Sequence, residues 1–159
     1  MNRPNPVIRG IMVIIAAAGI CCVTSNSLAK PKNLATSQKE RIREVLTRQV
    51  EAWNHHDLEG FMSAYWKSPD LTFFSTGTGT AGWQATLDRY RGRYQGEGRE
   101  MGTLDFNDLR IEMLGPRAAF VRGKWHLKMK SGDSGGLFTL IFRRFQDGWK
   151  IIHDHTSAS

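Results

Sequence analysis

The residues best suited to carry chemistry lie near the end of the chain, within residues 149–156. Asp154 is the strongest candidate for a general acid/base. In an apolar cavity its carboxylate would lose solvation, so its pKa would rise and it could exchange a proton with a substrate. The alternative is an ordinary carboxylate paired with Arg122 or Lys124 across a sheet. Thr156 would share the strand face of Asp154 and add a hydroxyl to the polar end of the cavity.

Three histidines and a tyrosine are weaker candidates. His153 and His155 are two apart and, with His126, could begin a metal site, but that face offers no cysteine or acid. No metal is therefore predicted, and the histidines would otherwise satisfy contacts between two copies of the sheet. Tyr90 recurs at helical spacing with Trp83 and is a core residue by default. Its hydroxyl could still polarise a carbonyl if it pointed into a cavity.

These side chains depend on a β-hairpin that turns at an Asp-Gly dipeptide, residues 147–148, which supplies the positive φ of a tight turn. Two registers are open. A two-residue loop sets Leu140 opposite His155, whereas a three-residue loop ending at Gly148 sets Leu140 opposite Asp154. A shift of one residue moves every side chain to the other face, so the register decides whether Asp154 or His155 lines a pocket. Both are therefore candidate ligand-binding residues.

Under the three-residue loop, one face of the hairpin is an apolar wall with an acid and a hydroxyl at one end. That face carries Phe138, Leu140, Phe142, Ile152, Asp154 and Thr156. The opposite face carries Thr139, Ile141, Trp149, Ile151, His153 and His155. Both faces are half apolar and need a cover. Because no helix is left for the second face, which bears Trp149 and Ile151, a homodimer is expected there.

Helical periodicity appears in three earlier segments. A capping box at residues 37–40 starts an amphipathic helix that should end near residues 54–56. Asp57 can cap a short second helix that stops before Pro69. A third helix follows Gly82.

Strand patterns occupy the remaining segments. Residues 71–75 are predicted as a strand and residues 76–80, rich in Gly and Thr, as a loop. Four long antiparallel strands follow, the first with a parity change near residues 107–108 that predicts a β-bulge. The order of elements predicts an α+β fold with helices on one face of a bent sheet.

The N-terminal segment differs from the rest of this 159-residue chain. A basic start, an apolar run over residues 11–23 and a small-residue site predict a Sec-type signal peptide, residues 1–29, cleaved after Ala29. The mature protein would then be exported, periplasmic or secreted, without a membrane partner. A lipoprotein anchor at Cys21 or Cys22 and an uncleaved anchor helix are the alternatives. Residues 30–36 would be a tether, and residues 37–159 one disulfide-free domain.

Composition excludes several function classes. The formal net charge is +7, but the basic residues are scattered rather than set in a stripe with interleaved aromatics. A nucleic-acid partner is therefore not expected. The chain has no nucleophile signature and no phosphate-binding loop, and no cofactor is predicted.

Four segments match a known pattern, namely residues 52–58, 65–71, 82–83 and 142–157. In them the chain resembles the nuclear transport factor 2-like superfamily, which includes ketosteroid isomerases and SnoaL-like polyketide cyclases. It is most similar to bacterial domains akin to the association domain of calcium/calmodulin-dependent protein kinase II. The resemblance implies a cone of three N-terminal helices packed on a strongly curved antiparallel sheet.

The resemblance also bears on the ligand. In the kinase association domain, arginines on three strands converge and hold small carboxylates. Arg122 stands at the first of these positions, but Leu140 and Thr156 occupy the other two. This implies a single carboxylate or a carbonyl compound rather than a polyanion, and it favours the three-residue loop because residues 140 and 156 then share a face.

The leading expectation is an exported, homodimeric domain that binds a small organic molecule, with Arg122, Asp154 and Thr156 at the polar end of its cavity. The alternative is an isomerase or cyclase, in which Asp154 moves a proton beside a carbonyl and Tyr90 or Arg122 stabilises the enolate. The third is an oligomerisation module without a ligand.

The three classes differ in what they predict for the cavity. An enzyme predicts a desolvated Asp154 with a raised pKa, and a binding domain predicts Asp154 ionised and paired with Arg122. A pure oligomerisation module predicts a cavity filled by aromatic side chains.

Overall fold

The computed structural model describes residues 32–159. The predicted signal peptide, residues 1–29, lies outside the described residues, as do residues 30 and 31 of the predicted tether. Within the described part, no helix is long and apolar enough to span a membrane.

Three helices precede the long strands. They are α1, Lys32–Asn54, α2, Leu58–Met62, and α3, Trp83–Tyr94. Helix α1 starts ahead of the predicted capping box, because residues 32–36 contain no glycine or proline that would break a helix. The second helix is capped as predicted, with the Asp57 carboxylate accepting the Gly60 N–H at 2.8 Å. It ends earlier than predicted, at Met62.

Six strands form one sheet. They are β1, Thr72–Ser75, β2, Thr78–Ala81, β3, Thr103–Gly115, β4, Ala118–Lys128, β5, Ser134–Phe145, and β6, Gly148–Thr156. Their order is β2-β1-β6-β5-β4-β3, and every neighbouring pair is antiparallel except β1 and β6. The α+β prediction is confirmed, as helices packed on a curved, mostly antiparallel sheet.

The segment predicted as a loop, residues 76–80, is partly strand β2. Thr76 and Gly77 both have positive φ, 50° and 74°, as in a tight hairpin turn. They fold β2 back onto β1, so that prediction is wrong. The predicted bulge in β3 is confirmed, since the register with β4 shifts between Asn107 and Arg110 around Asp108, which has a φ of 54°.

The register of the final hairpin matches the three-residue-loop prediction only in the half of the hairpin that lies away from the turn. Leu140 faces Asp154 there, but the turn itself is the two residues 146–147, with Phe145 paired to Gly148. The difference is absorbed by a bulge in β6 at Ile152, where the register shifts. The predicted register is therefore correct between the bulge and the end of β6 and wrong between the turn and the bulge, and the predicted turn is wrong.

This bulge changes which side chains of β6 enter the core. Trp149 and Ile151 are only 3% and 0% exposed, although strict alternation placed them on the outer face. Ile152, predicted for the inner face, is instead part of a groove with Ile141 on the outer side. The homodimer prediction therefore loses the two residues on which it was based.

Hydrogen bonds of side-chain amides and of an indole join helix α1 to the sheet. The Asn54 amide donates to the Leu104 carbonyl at 3.1 Å, and its oxygen accepts the Leu104 N–H at 2.7 Å. The Trp149 indole donates to the buried Gln38 side chain at 2.9 Å. These bonds join the end of α1 to β3 and its start to β6.

We expect Asn54→Ala to lower the free energy of unfolding by about 1–3 kcal/mol, because two backbone groups of β3 lose their partner. Urea unfolding followed by tryptophan fluorescence measures the change. Asn107→Ala is the matched control, since its exposed amide reaches only the Asp105 carboxylate. Equal stability losses in the two variants would contradict the role given to Asn54.

Candidate functional site

A cavity of about 100 Å³ lies between the helices and the inner face of the sheet. Its volume approaches that of an apolar cavity able to hold one benzene ring, which is about 150 Å³. Most of the wall is aromatic or aliphatic. Residues lining it include Trp53, Phe61, Phe73, Phe106, Phe138 and Leu140.

Asp154 is the acid of this cavity, on β6, and it is only 4% exposed. Its Oδ2 accepts the Tyr65 hydroxyl at 2.7 Å, and its Oδ1 accepts the Thr156 hydroxyl, also at 2.7 Å. No ion pair joins Asp154 to a cation within residues 37–159. The carboxyl is therefore held by two neutral donors alone.

Burial determines the protonation of this group. Loss of solvation raises the pKa of Asp154 to about 6, against the opposing effects of Tyr65, Thr156 and His155. Burial, and then the charge of Asp154, raises the pKa values of Tyr65 and Tyr90 well above their ordinary value. Both phenols therefore remain protonated hydrogen-bond donors at neutral pH.

Tyr90 lies on helix α3, and its side chain lines the cavity, as its candidate role requires. Its ring packs edge-on against Phe61 and Phe73, with centroid distances of 5.3 and 5.6 Å. Thr156 also lines the cavity, beside Asp154. Asp154 and Thr156 thus share the cavity face, as the three-residue register predicted.

Arg122 does not line the cavity, and its predicted role is wrong. It pairs with Thr139 on the outer side of the sheet, with its guanidinium 3.9 Å from Glu112 and over the Phe120 ring. Alternation along β4 turns Val121 inward and Arg122 outward. The alternative pairing with Asp154 is wrong for the same reason.

The remaining predicted partners also lie outside. Lys124 pairs with Asp108 at 2.8 Å rather than with Asp154. His155 is exposed, with its ring edge-on to Phe74, because Asp154 and Thr156 take the inward positions. His155 is therefore not a cavity residue.

The other histidines have separate partners. His153 Nδ1 lies 2.6 Å from the Thr72 hydroxyl, and His126 Nε2 lies 3.2 Å from the Asp133 carboxylate. In the described part of the chain, no three metal-ligating side chains come together.

Sequence reasoning missed two polar residues of the cavity. Tyr65 lies in segment 65–71, which carries the resemblance, but no residue type or spacing marks it as a partner of Asp154, and its bond to Asp154 spans 89 positions. Gln49 lies between Leu46 and Trp53 on the buried face of α1. A polar residue on an otherwise apolar helix face is the sequence signal that could have marked it as a site residue. Its side chain is 2% exposed, and its amide nitrogen has no hydrogen-bond partner in the described part of the chain.

Comparison with known proteins places the chain in a family. A sequence profile for the SnoaL-like domain matches residues 42–159. The chain belongs to the SnoaL-like domain family. No curated protein matches this SnoaL-like domain.

Solved structures agree with the family assignment. A nuclear transport factor 2-like protein of unknown function from Shewanella oneidensis is 37% identical, with a TM-score of 0.71 over 75% of this SnoaL-like chain and 98% of its own. A nuclear transport factor 2-like superfamily protein from Salmonella enterica is 21% identical, with a TM-score of 0.67 over 77% and 92% of the two chains. A candidate scytalone dehydratase from Novosphingobium aromaticivorans is 12% identical, with a TM-score of 0.63 over 80% and 87%. The last two show the fold alone.

We expect the stability of the SnoaL-like domain to depend on pH through the titration of Asp154. Its folded-state pKa lies above its unfolded value, so its stabilising contribution is complete below about pH 4 and is lost as the pH rises through about 6. Between pH 4 and pH 7, the free energy of unfolding of Asp154→Asn should therefore rise by about 2 kcal/mol relative to that of the wild type.

Chemical denaturation across this pH range measures the difference. Asp147→Asn, which removes an exposed carboxylate from the turn of the same hairpin, corrects for the change in net charge. Parallel stability profiles for the wild type and Asp154→Asn would contradict the buried, proton-retaining carboxyl.

Proposed function

We propose that this SnoaL-like domain binds a small, largely apolar carbonyl compound and that Asp154 transfers a proton on it, as in an isomerase or cyclase. The observation that carries the proposal is the buried Asp154 carboxyl, which lines a cavity and has no cation partner among the residues that the structure describes. A simple binding domain was expected to pair Asp154 with Arg122, and those two side chains lie on opposite faces of the sheet. An oligomerisation module was expected to have a filled cavity.

A carboxyl with a pKa of about 6 is suited to proton transfer near neutral pH. Ionised Asp154 would take the proton from the carbon beside the carbonyl, leaving the electron pair in an enolate. The same carboxyl would then return the proton to another carbon, which isomerises the molecule. The Tyr65 and Thr156 hydroxyls position Asp154, because each donates to one of its oxygens.

Negative charge that develops on the substrate oxygen must be stabilised by a hydrogen-bond donor. Tyr90 lines the cavity as a neutral phenol, and Gln49 contributes a buried amide nitrogen that lacks a partner in the described part of the chain. A hydrogen bond to either group would stabilise the enolate more than the ketone. The volume favours a substrate whose buried part is about one six-membered ring.

We also propose that the mature domain is exported and associates with a second copy. The composition of residues 1–29 supports export. Association is supported by the partly buried Ile141 and Ile152, which line a groove on the outer side of the sheet with Pro116. Hydrophobic side chains around such a groove suit a contact between identical faces.

Exchange of carbon-bound protons tests the catalytic role. Cyclohexanone and 3-cyclohexenone are incubated with the protein in heavy water, and loss of the protons beside the carbonyl is followed by NMR. The wild type should accelerate exchange, with a rate that rises through about pH 6 because Asp154 must be ionised. Asp154→Asn should lower the rate at least about 100-fold.

Asp147→Asn, in the exposed turn of the same hairpin, should keep the wild-type rate. An Asp154→Asn variant that exchanges as fast as the wild type, or a wild type inert toward both ketones, would refute proton transfer by Asp154.

A further inference from the structure

Helix α3 carries three arginines whose surroundings differ. Arg91 is turned away from the cavity and pairs with Glu59 at 2.6 Å and with Asp88 at 3.5 Å. Arg89 and Arg93, four residues apart, both line the cavity. Neither forms an ion pair with a carboxylate in the described part of the chain. The cavity side of α3 therefore presents two guanidinium groups that have no carboxylate partner within the described residues.

These two groups are held at the cavity by neighbouring side chains. Arg89 donates to the Thr80 hydroxyl at 3.0 Å, and its guanidinium lies 5.2 Å from the centre of the Phe73 ring. The Arg93 guanidinium lies 5.4 Å from the centre of the Tyr94 ring. Phe73 and Tyr94 are themselves part of the cavity wall. Contact with these rings keeps both guanidinium groups beside the cavity wall.

The solvent exposure of the two arginines and Asp154 indicates how deep each side chain lies in the cavity. Arg93 is exposed and Arg89 is half-buried, whereas Asp154 is buried. The cations therefore lie toward the opening and the carboxyl lies deeper, with aromatic wall between them. A molecule with an anionic end and an apolar ring matches this order, because its ring would enter while its charge stays at the arginines.

We infer that Arg89 and Arg93 form an anion site at the mouth of the cavity and that the substrate is a single-ring monocarboxylate. The planar guanidinium fork matches the two oxygens of a carboxylate. This inference builds on the proposed function and supplies the carboxylate contact that the sequence analysis assigned to Arg122.

Calorimetric titration with benzoate and with benzamide tests the inference, since the two probes share a ring and differ in charge. The wild type should bind benzoate saturably and more tightly than benzamide. The double variant Arg89→Met/Arg93→Met should weaken benzoate binding at least about tenfold and change benzamide binding less than about twofold. Methionine keeps the aliphatic stem that packs on the rings.

Arg91→Met is the matched control, because it removes the same charge from the outer side of the same helix. It should leave benzoate binding within about twofold of the wild type, and circular dichroism verifies that each variant is folded. An equal loss of benzoate binding in Arg91→Met, equal affinities for benzoate and benzamide, or no saturable benzoate binding would each overturn the anion site.

Repeating the titration with Asp154→Asn separates this site from the catalytic proposal. Benzoate binding should persist in that variant and should still depend on Arg89 and Arg93. An anion site without proton exchange would refute the proposed catalysis alone. Proton exchange without preference for the carboxylate would refute the anion site alone.

Discussion

The hydrogen bond from Tyr65 to Asp154 is the interaction on which the candidate site depends. It joins the segment after α2 to β6 across 89 positions, at a distance of 2.7 Å. Backbone bonds from Trp66 to Ile151 and from Ile151 to Ala64, each 2.9 Å, fix the same two segments together. The carboxyl is thereby held inside an apolar wall, where its hydrogen-bond donors in the described part of the chain are the neutral hydroxyls of Tyr65 and Thr156. Desolvation then outweighs those donors, which is why the pKa of Asp154 rises instead of falling.

The bulge at Ile152 is what makes this arrangement compatible with a packed core. Before the bulge Trp149 and Ile151 face the helices, and after it Asp154 and Thr156 do. Uninterrupted alternation would put Trp149 and Asp154 on opposite faces, because their numbers differ by an odd count. One extra residue therefore lets a single strand supply apolar anchors at one end and the polar floor of the cavity at the other.

Much of the fold followed from local patterns, and the site followed only in part. Helical spacing, the Asp57 cap and the parity change in β3 are short-range signals, and each corresponds to a feature of the structure. The bulge in β6 has no such signal, since Ile151 and Ile152 are identical in type. The inward position of Tyr65 depends on pairing with a distant strand, so residue type alone could not determine it. The outward position of Arg122 follows from alternation along β4, a local pattern that conflicts with the role implied by the resemblance.

Proton transfer in the cavity depends most directly on the proton affinity of Asp154. A titration of the protein with ¹³C-labelled aspartate, with the Asp154 carboxyl carbon assigned by its absence in Asp154→Asn, measures that affinity. We predict a titration midpoint near pH 6, displaced upward in Tyr65→Phe because a donor to the carboxylate is lost. A midpoint near the ordinary value of 3.8, unchanged by Tyr65→Phe, would show that the carboxyl is solvated and would contradict a buried, proton-retaining Asp154.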